Sequence, residues 1–463
     1  MKKNTVLTLH IEGVNAKGFG VARVNDFVLL VDGALPGDTL EARLVKLKSR
    51  YGYAKAMRIV TPSPHRVTPK CPVSQRCGGC QFQHCDYPAQ LAFKKQIVTD
   101  ALTRIGGIEN APVADVLGTA PTRYRNKAVF PVAPAQNPEG FAIGMYAPRS
   151  HRMVEIDDCL IQHPAHIRVL SVVKKHMLRH KISAYDETAH QGQLRQIMIR
   201  TSLATGEIMV VLVVNGEALP REIPLAQALA ADAGATTVLL SPHTSRGNAV
   251  LGERFRILLG NGFIEETIGP VRYRISAPSF FQVNPVQAKV LYDVALRLSG
   301  LHPTTPGDAL DAHAGAGGIA LYAAHAARHI VGIDIVAPAI ADAKKNAAIN
   351  GITNVHFLTG AAEEVVPTLL TGNAHPQGIP SDFRPDVVFL DPPRRGCEPP
   401  LLDALISCKA PKIIYISCDP ATLARDIKHL CTAGYTLSTV QPVDMFPMTG
   451  HVEAIALLRR ADT

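Results

Sequence analysis

Apolar and polar positions alternate with a period of two at the start of the chain. Leu7, Leu9 and Ile11 face one way along an extended backbone, and Thr8, His10 and Glu12 the other. Runs of strand character recur at Val6–Glu12, Gly20–Val24, Phe27–Val31, Asp38–Val45 and Tyr53–Ile59, parted by turn signals at Asn15 to Gly18, Asn25-Asp26 and Gly33 to Gly37. Such short strands predict an OB-like β-barrel over 1–62, closed off by the linker Thr61-Pro62-Ser63-Pro64. A helix is expected at Pro88–Ile105, stopped by Gly106-Gly107 and packing with the last domain. Strand-like runs such as Lys127–Val132 and Met209–Val214 predict an α+β central domain over 63–270. Over 271–463 the rhythm becomes strand–helix–strand, with strands at Asp308–Asp311, His329–Asp334, Val355–Leu358, Asp386–Leu390 and Lys412–Ser417. That alternation predicts a Rossmann-like α/β domain on a doubly wound parallel sheet. Thr371–Pro385 reads as a surface loop rich in Pro and Gly.

Composition adds limits to this outline. The 463 residues are 47% hydrophobic and 19% charged, enough for several buried cores. No apolar run approaches the ~18 residues of a membrane span. Met1-Lys2-Lys3 imitates a signal-peptide start, but His10 and Glu12 soon interrupt the apolar stretch, so a cytoplasmic monomer is expected. Of the net charge of +9, +7 falls within residues 1–70. A basic module on a near-neutral body suits a polyanion, nucleic acid above all; the plainer reading is a solvated basic surface.

Nine cysteines, an odd number, argue against a disulfide framework. Cys71, Cys77 and Cys80, with Gly78-Gly79 between the last two, offer three thiolates in one tight loop. Zinc and iron–sulfur centres both take four; the missing pair of C-x2-C units favours a cluster, and spacing alone favours Cys85 over Cys159 as fourth ligand.

The last domain carries the chemistry. Gly315, Gly317 and Gly318 follow a short strand and open a helix, and the next strand ends at Asp334, nineteen residues past Gly315. Glycines let a ligand approach backbone amides, and the acid accepts bonds from ribose hydroxyls. The glycine run lacks the full dinucleotide fingerprint and is preceded by Asp311, which favours S-adenosylmethionine over NAD. Asp391-Pro392-Pro393 ends another strand; amino-methylating enzymes place an aromatic next, and here Arg394 follows. Cys418 ends a third. A lone cysteine is ordinarily a small buried hydrophobe. Beside a methyl donor it has a use, since uracil C5 becomes nucleophilic once a thiolate adds to C6. A base must then take the C5 proton, and Glu453, an acid in an apolar C-terminal strand, is the candidate.

Taken together these segments resemble the RNA uracil-5-methyltransferases, most closely members with a TRAM domain and a [4Fe-4S] cluster that act on 23S ribosomal RNA. Ile11 to Ala22 and Val31 to Asp38 look like TRAM. Cys71, Cys77 and Cys80 match the cluster loop, and the resemblance implies Cys159 as its fourth ligand. Ser417-Cys418-Asp419-Pro420 matches the nucleophile motif and His451-Val452-Glu453 the base motif. Phe280-Phe281-Gln282-Val283-Asn284 is similar to the signature before the cofactor domain, so Gln282 is expected at the cofactor or at uracil O4. The implied cofactor set is Gln282, His313, Gly315, Gly317, Gly318, Asp334 and Asp391. The chain departs from the family at His313-Ala314, Gly318 and Ala361, where contacts to the cofactor fall to the backbone. The implied reaction is 5-methyluridine formation on a flipped-out base, with phosphates gripped by the basic barrel, Arg123 and Arg125. A tRNA T-loop target, an amino-methylating enzyme and a non-catalytic RNA-binding module are the alternatives.

Overall fold

In the computed structural model, which describes residues 1–247, 249–371 and 378–461, the chain builds three large sheets. The first holds β1 (Val6–His10), β2 (Gly13–Val14), β3 (Gly20–Val24), β4 (Phe27–Asp32), β5 (Thr39–Leu47) and β6 (Tyr51–Thr61), in the order β1-β5-β6-β4-β3-β2. That is one strand beyond the five expected, because two-residue β2 is too short to show a period. Asn25 and Asp26, at φ 48° and 64°, make the tight β3–β4 turn whose left-handed residues suit Asn and Asp. The alternating Leu9, Ala22, Leu29, Leu40, Ala42 and Leu44 are buried inside. Asp38 closes the module onto the linker, accepting from Ser63 N at 2.8 Å and from the Arg66 guanidinium at 2.6 and 2.7 Å.

Helix α1 (Tyr87–Arg104) starts where the Asp86 carboxylate accepts from Ala89 N at 2.9 Å. The central sheet follows: β7 (Lys127–Pro134), β8 (Phe141–Tyr146), β9 (Met153–Glu155), α2 (Pro164–His180), β10 (Leu194–Thr201), β11 (Ile208–Val214), α3 (Glu222–Ala233), β12 (Thr237–Pro242) and β13 (Arg256–Leu259). Its order is β13-β12-β11-β10-β7-β8-β9, antiparallel except for the β11–β12 pair that α3 connects. A hairpin of β14 (Phe263–Ile268) and β15 (Val271–Ser276) leads onward.

The last sheet comprises β16 (Gly307–Asp311), β17 (Ala327–Asp334), β18 (Val355–Thr359), β19 (Val387–Leu390), β20 (Lys412–Ser417), β21 (Tyr435–Val443) and β22 (Glu453–Arg460). Helices α4 (Pro285–Ser299), α5 (Gly318–Ala323), α6 (Ala337–Ile349), α7 (Ala362–Thr371), α8 (Pro399–Ser407) and α9 (Pro420–Thr432) intervene. In the order β18-β17-β16-β19-β20-β22-β21 the first five strands pair in parallel, and β22 alone runs the other way, inserted between β20 and β21. The sheet is therefore mixed, where a parallel sheet was predicted. Ile97, Val98 and Leu102 of α1 share one core with Leu423, Ile427 and Leu430 of α9. Part of the loop expected at Thr371–Pro385 lies outside the described residues, at 372–377. Among the described residues, no helix is long and apolar enough to cross a membrane.

Candidate active site

Parallel strands deliver their carboxyl ends to one edge of a sheet, where open α/β folds place their chemistry. Asp311 closes β16, Asp334 closes β17, Asp391 follows β19 and Cys418 follows β20. Strand β22 runs the other way, so its first residue, Glu453, arrives at that same edge; Ala454 pairs with Ser417. Immediately beyond Cys418 the Asp419 carboxylate accepts from Ala421 N at 2.9 Å and Thr422 N at 3.3 Å, and Pro420 opens α9. The thiol is thus held between a strand end and a capped helix start.

Charges at this edge act on one another. Burial, with the Asp391 carboxylate beside it and Arg394 opposing, pushes the Glu453 carboxyl up to about 8. Burial alone lifts Asp391 to about 7. The Cys418 thiol is pushed up to about 11 by burial, then by the negative charge of Glu453; Arg394 pulls it down and Asp391 pushes it up. Removing the Glu453 charge therefore eases thiolate formation. Glu453→Gln is expected to lower the pH midpoint for alkylation of Cys418, and Arg394→Gln to raise it. Iodoacetamide labelling of the Cys418 peptide across pH, read by mass spectrometry, checks both signs; an unmoved midpoint in both variants rejects this charge balance.

The glycine turn is built on Asp334. One carboxylate oxygen accepts from Gly315 N at 2.9 Å and the other from Val336 N at 2.8 Å. Asp334 thereby holds the loop while each oxygen keeps a lone pair for a further donor. Gly315 and Gly317 have φ of 53° and 88°, left-handed values that favour glycine. Two buried polar atoms face no protein partner, His313 Nδ1 and one oxygen of Asp311. Burial lowers His313 to about 4 and lifts Asp311 to about 7, so one is a neutral ring and the other a partly protonated acid near neutrality. Such orphan atoms beside a glycine turn fit a polar small molecule like S-adenosylmethionine. Gly318 has a steric reason to lack a side chain: a Cβ there would lie 2.6 Å from the Tyr292 hydroxyl. Gly318→Ala is expected to weaken S-adenosylmethionine binding, by roughly 1–3 kcal/mol if overpacking sets the scale. Adding Tyr292→Phe should restore it; calorimetric titration of both variants decides, and a double variant as weak as the single one sinks the explanation.

Gln282 gives its backbone oxygen to Asn126 Nδ2 at 3.1 Å. Two residues on, Asn284 caps α4 and donates to Met445 O at 3.3 Å, tying this segment to the stretch that leads into Glu453.

The cysteines occupy a separate place. Cys71, Cys77, Cys80 and Cys159 line one cavity of about 440 Å³, together with Arg125 and Lys127. Cys85 is instead packed with Leu35, Phe82 and Ala89, so the ligand favoured by spacing is the one the fold turns away. Burial raises the thiols of Cys77 and Cys159 and pushes Cys80 up to about 12. Among the described residues, no group of three or more His, Cys, Asp or Glu side chains is gathered to hold a metal ion. Arg123 donates to both Asp158 oxygens at 2.7 Å and to Cys159 O at 2.8 Å, fixing the segment that carries Cys159.

Residues 86–461 match the family model described as tRNA (Uracil-5-)-methyltransferase, and residues 2–57 match the TRAM domain. The chain belongs to the tRNA (uracil-5-)-methyltransferase family. An uncharacterized RNA methyltransferase of Halalkalibacterium halodurans is 42% identical over 460 residues, covering 99% of this chain and 98% of that one. One of Gloeobacter violaceus is 41% identical over 458 residues, 98% and 96% of the two chains. Among solved structures, the Pyrococcus abyssi tRNA (uracil-54, C5)-methyltransferase in complex with S-adenosyl-L-homocysteine superposes with a TM-score of 0.76 at 29% identity, over 97% of this chain and 99% of that one. This methyltransferase is thus an S-adenosylmethionine-dependent enzyme acting on RNA, with a TRAM domain at its N-terminal end. A non-catalytic RNA-binding module is set aside. The motif reading passed over two members of this edge: Arg394, noticed only for the aromatic it replaces, and Tyr292, whose helix position carries no signal of its own.

Proposed function

We propose that the enzyme methylates C5 of uracil in RNA, with 23S ribosomal RNA as the substrate and Cys418 and Glu453 as nucleophile and base. The observation that carries this reading is the antiparallel β22, which brings a buried carboxyl to the edge where β20 delivers a thiol. The Cys418 thiolate forms a bond to C6, and the C5–C6 π electrons move toward O4 as an enolate. S-adenosylmethionine would supply the methyl group that C5 takes, its S–CH3 bond breaking to leave the neutral thioether S-adenosylhomocysteine. Glu453 then removes the proton from C5, the C5=C6 bond re-forms, and the S–C6 bond breaks to free the enzyme. Gln282 is assigned to the uracil O4 or the cofactor; His313, Gly315, Gly317, Gly318, Asp334 and Asp391 are assigned to the cofactor.

Cys71, Cys77, Cys80 and Cys159 are proposed as ligands of a [4Fe-4S] cluster. The donor set suits it, since four half-buried thiols line one cavity to which the Arg125 guanidinium brings positive charge. Methyl transfer moves no net electrons, so the cluster is given a structural task. Iron content and the visible spectrum of anaerobically purified protein, beside Cys159→Ala, test it.

A second reading, a uridine of the tRNA T-loop, is favoured by the likeness to the Pyrococcus abyssi tRNA enzyme. Mass-spectrometric mapping of 5-methyluridine in both RNAs from a deletion strain separates the targets. Loss from 23S rRNA supports the first, loss from tRNA the second, and no loss from either overturns both.

A further inference from the structure

The stretch between β21 and β22 ends at Glu453, and its backbone is held at five consecutive carbonyls by four separate parts of the chain. Gln287 donates to Asp444 O at 3.2 Å, Asn284 to Met445 O at 3.3 Å, Lys94 Nζ to Phe446 O at 3.0 Å and the Tyr124 hydroxyl to Pro447 O at 3.0 Å. At Met448 O two backbone amides converge, Gln81 N and Phe82 N, each at 2.9 Å. Those amides lie directly after Cys80. Met448 itself sits at φ 67°, a left-handed value that an unbranched non-glycine residue adopts only when its surroundings hold it there.

Gln90, fully buried on α1, closes the arrangement. Its amide nitrogen donates to Phe82 O at 3.1 Å and Cys85 O at 2.9 Å, and its amide oxygen accepts from Met448 N at 3.1 Å. One side chain therefore joins the exit of the cysteine loop to the residue five positions before the proposed base. Beyond Met448 the chain has little slack: the Thr449 hydroxyl donates to Phe446 O at 2.7 Å, and His451 N donates to that hydroxyl at 3.3 Å. A displacement of Met448 is passed along this turn to Glu453, and a misplacement of about 1 Å in a catalytic group costs on the order of a hundredfold.

We propose that Gln90 is a positioning residue for Glu453, clamping Met448 to the cysteine loop so that the placement of the base depends on how that loop is folded. The inference rests on the roles proposed for Cys418 and Glu453. Its consequence is selective: addition of the thiolate and methylation of C5 proceed, while removal of the C5 proton slows, so the S–C6 bond persists.

The test follows the covalent protein–RNA species on denaturing gels, using full-length enzyme, S-adenosylmethionine and an RNA substrate identified by the mapping above. Gln90→Met is expected to raise the fraction of enzyme held as adduct at least tenfold over the parent, with RNA and S-adenosylmethionine affinities within twofold. Gln90→Glu keeps an acceptor for Met448 N but loses the donated bonds to Phe82 O, Cys85 O and Met448 Sδ, and is expected to do the same to a smaller extent. Turnover that falls without adduct, or turnover that is unchanged, overturns the proposal. A chain that fails to fold with both substitutions marks Gln90 as merely structural and overturns it too. Glu453→Gln in the same assay separates the two levels of inference. If it fails to accumulate adduct, the assignment of the base is wrong; if it accumulates adduct and the Gln90 variants do not, only the clamp is wrong. Cys77→Ser provides an independent arm, since loosening the cysteine loop should accumulate the same adduct in protein that binds RNA normally.

Discussion

Replacing Cys418 with alanine is expected to abolish methyl transfer, lowering kcat/KM by ~10⁴-fold or more, a loss typical of removing a covalent nucleophile. The size follows from the substrate: without thiolate addition at C6, C5 of uracil has too little electron density to take a methyl group. S-adenosylmethionine binding should change little, because the glycine turn and Asp334 are built on β16 and β17, two and three strands away from β20 in the sheet. Radiolabelled methyl incorporation into RNA, with calorimetry of the cofactor as control, measures both. A Cys418→Ala enzyme that still methylates at the parental rate would falsify the covalent route.

Glu453→Gln should halt the reaction later. The amide cannot take the C5 proton, so the methylated base stays bonded to Cys418 and an RNA–protein species resistant to denaturation accumulates, while turnover falls by ~10²–10⁴-fold. In the parent, ionisation of the carboxyl rises through about 8, the value to which burial first, and Asp391 second, push it against Arg394. Resolution of the adduct should therefore speed up with pH below 8 and level off above it. The sign for stability is opposite. A carboxyl raised from its ordinary value stabilises the fold fully below about 4.5, and that contribution is lost as pH rises through about 8. Glu453→Gln, uncharged throughout, should melt no lower than the parent at pH 8–9. Thermal melts across pH check this; a variant that melts lower only at high pH contradicts the assigned burial.

Alternation, turns and motif order made the strands and the chemical residues readable, because each depends on neighbours in the chain. Cys418 and Glu453 stood out as polar groups at the ends of apolar runs, where burial is expensive without a task. What local signals could not supply was adjacency. Spacing favoured Cys85 over Cys159, yet the fold carries the loop holding Cys159 to the other three thiols and sends Cys85 into an apolar pocket. The pairing of Arg123 with Asp158, 35 residues on, also exists only after folding. The fully buried Lys94–Asp444 ion pair, at 2.5 Å, joins residues 350 positions apart and left no trace in periodicity. The insertion of antiparallel β22 beside β20 is likewise a matter of sheet order, which no hydrophobic pattern encodes.

Gly450 has one consequence for anyone who wishes to dissect this enzyme. A Cβ at that position would lie 2.7 Å from Ala16 O and 3.0 Å from Gly18 N, so the turn between β2 and β3 rests directly on the backbone three residues before Glu453. Truncating the chain ahead of residue 63 removes a wall of the catalytic domain along with the TRAM module. Weak activity in such a fragment would then conflate two losses, and chimaeras that exchange the TRAM module need to carry residues 15–18 with the recipient rather than the donor.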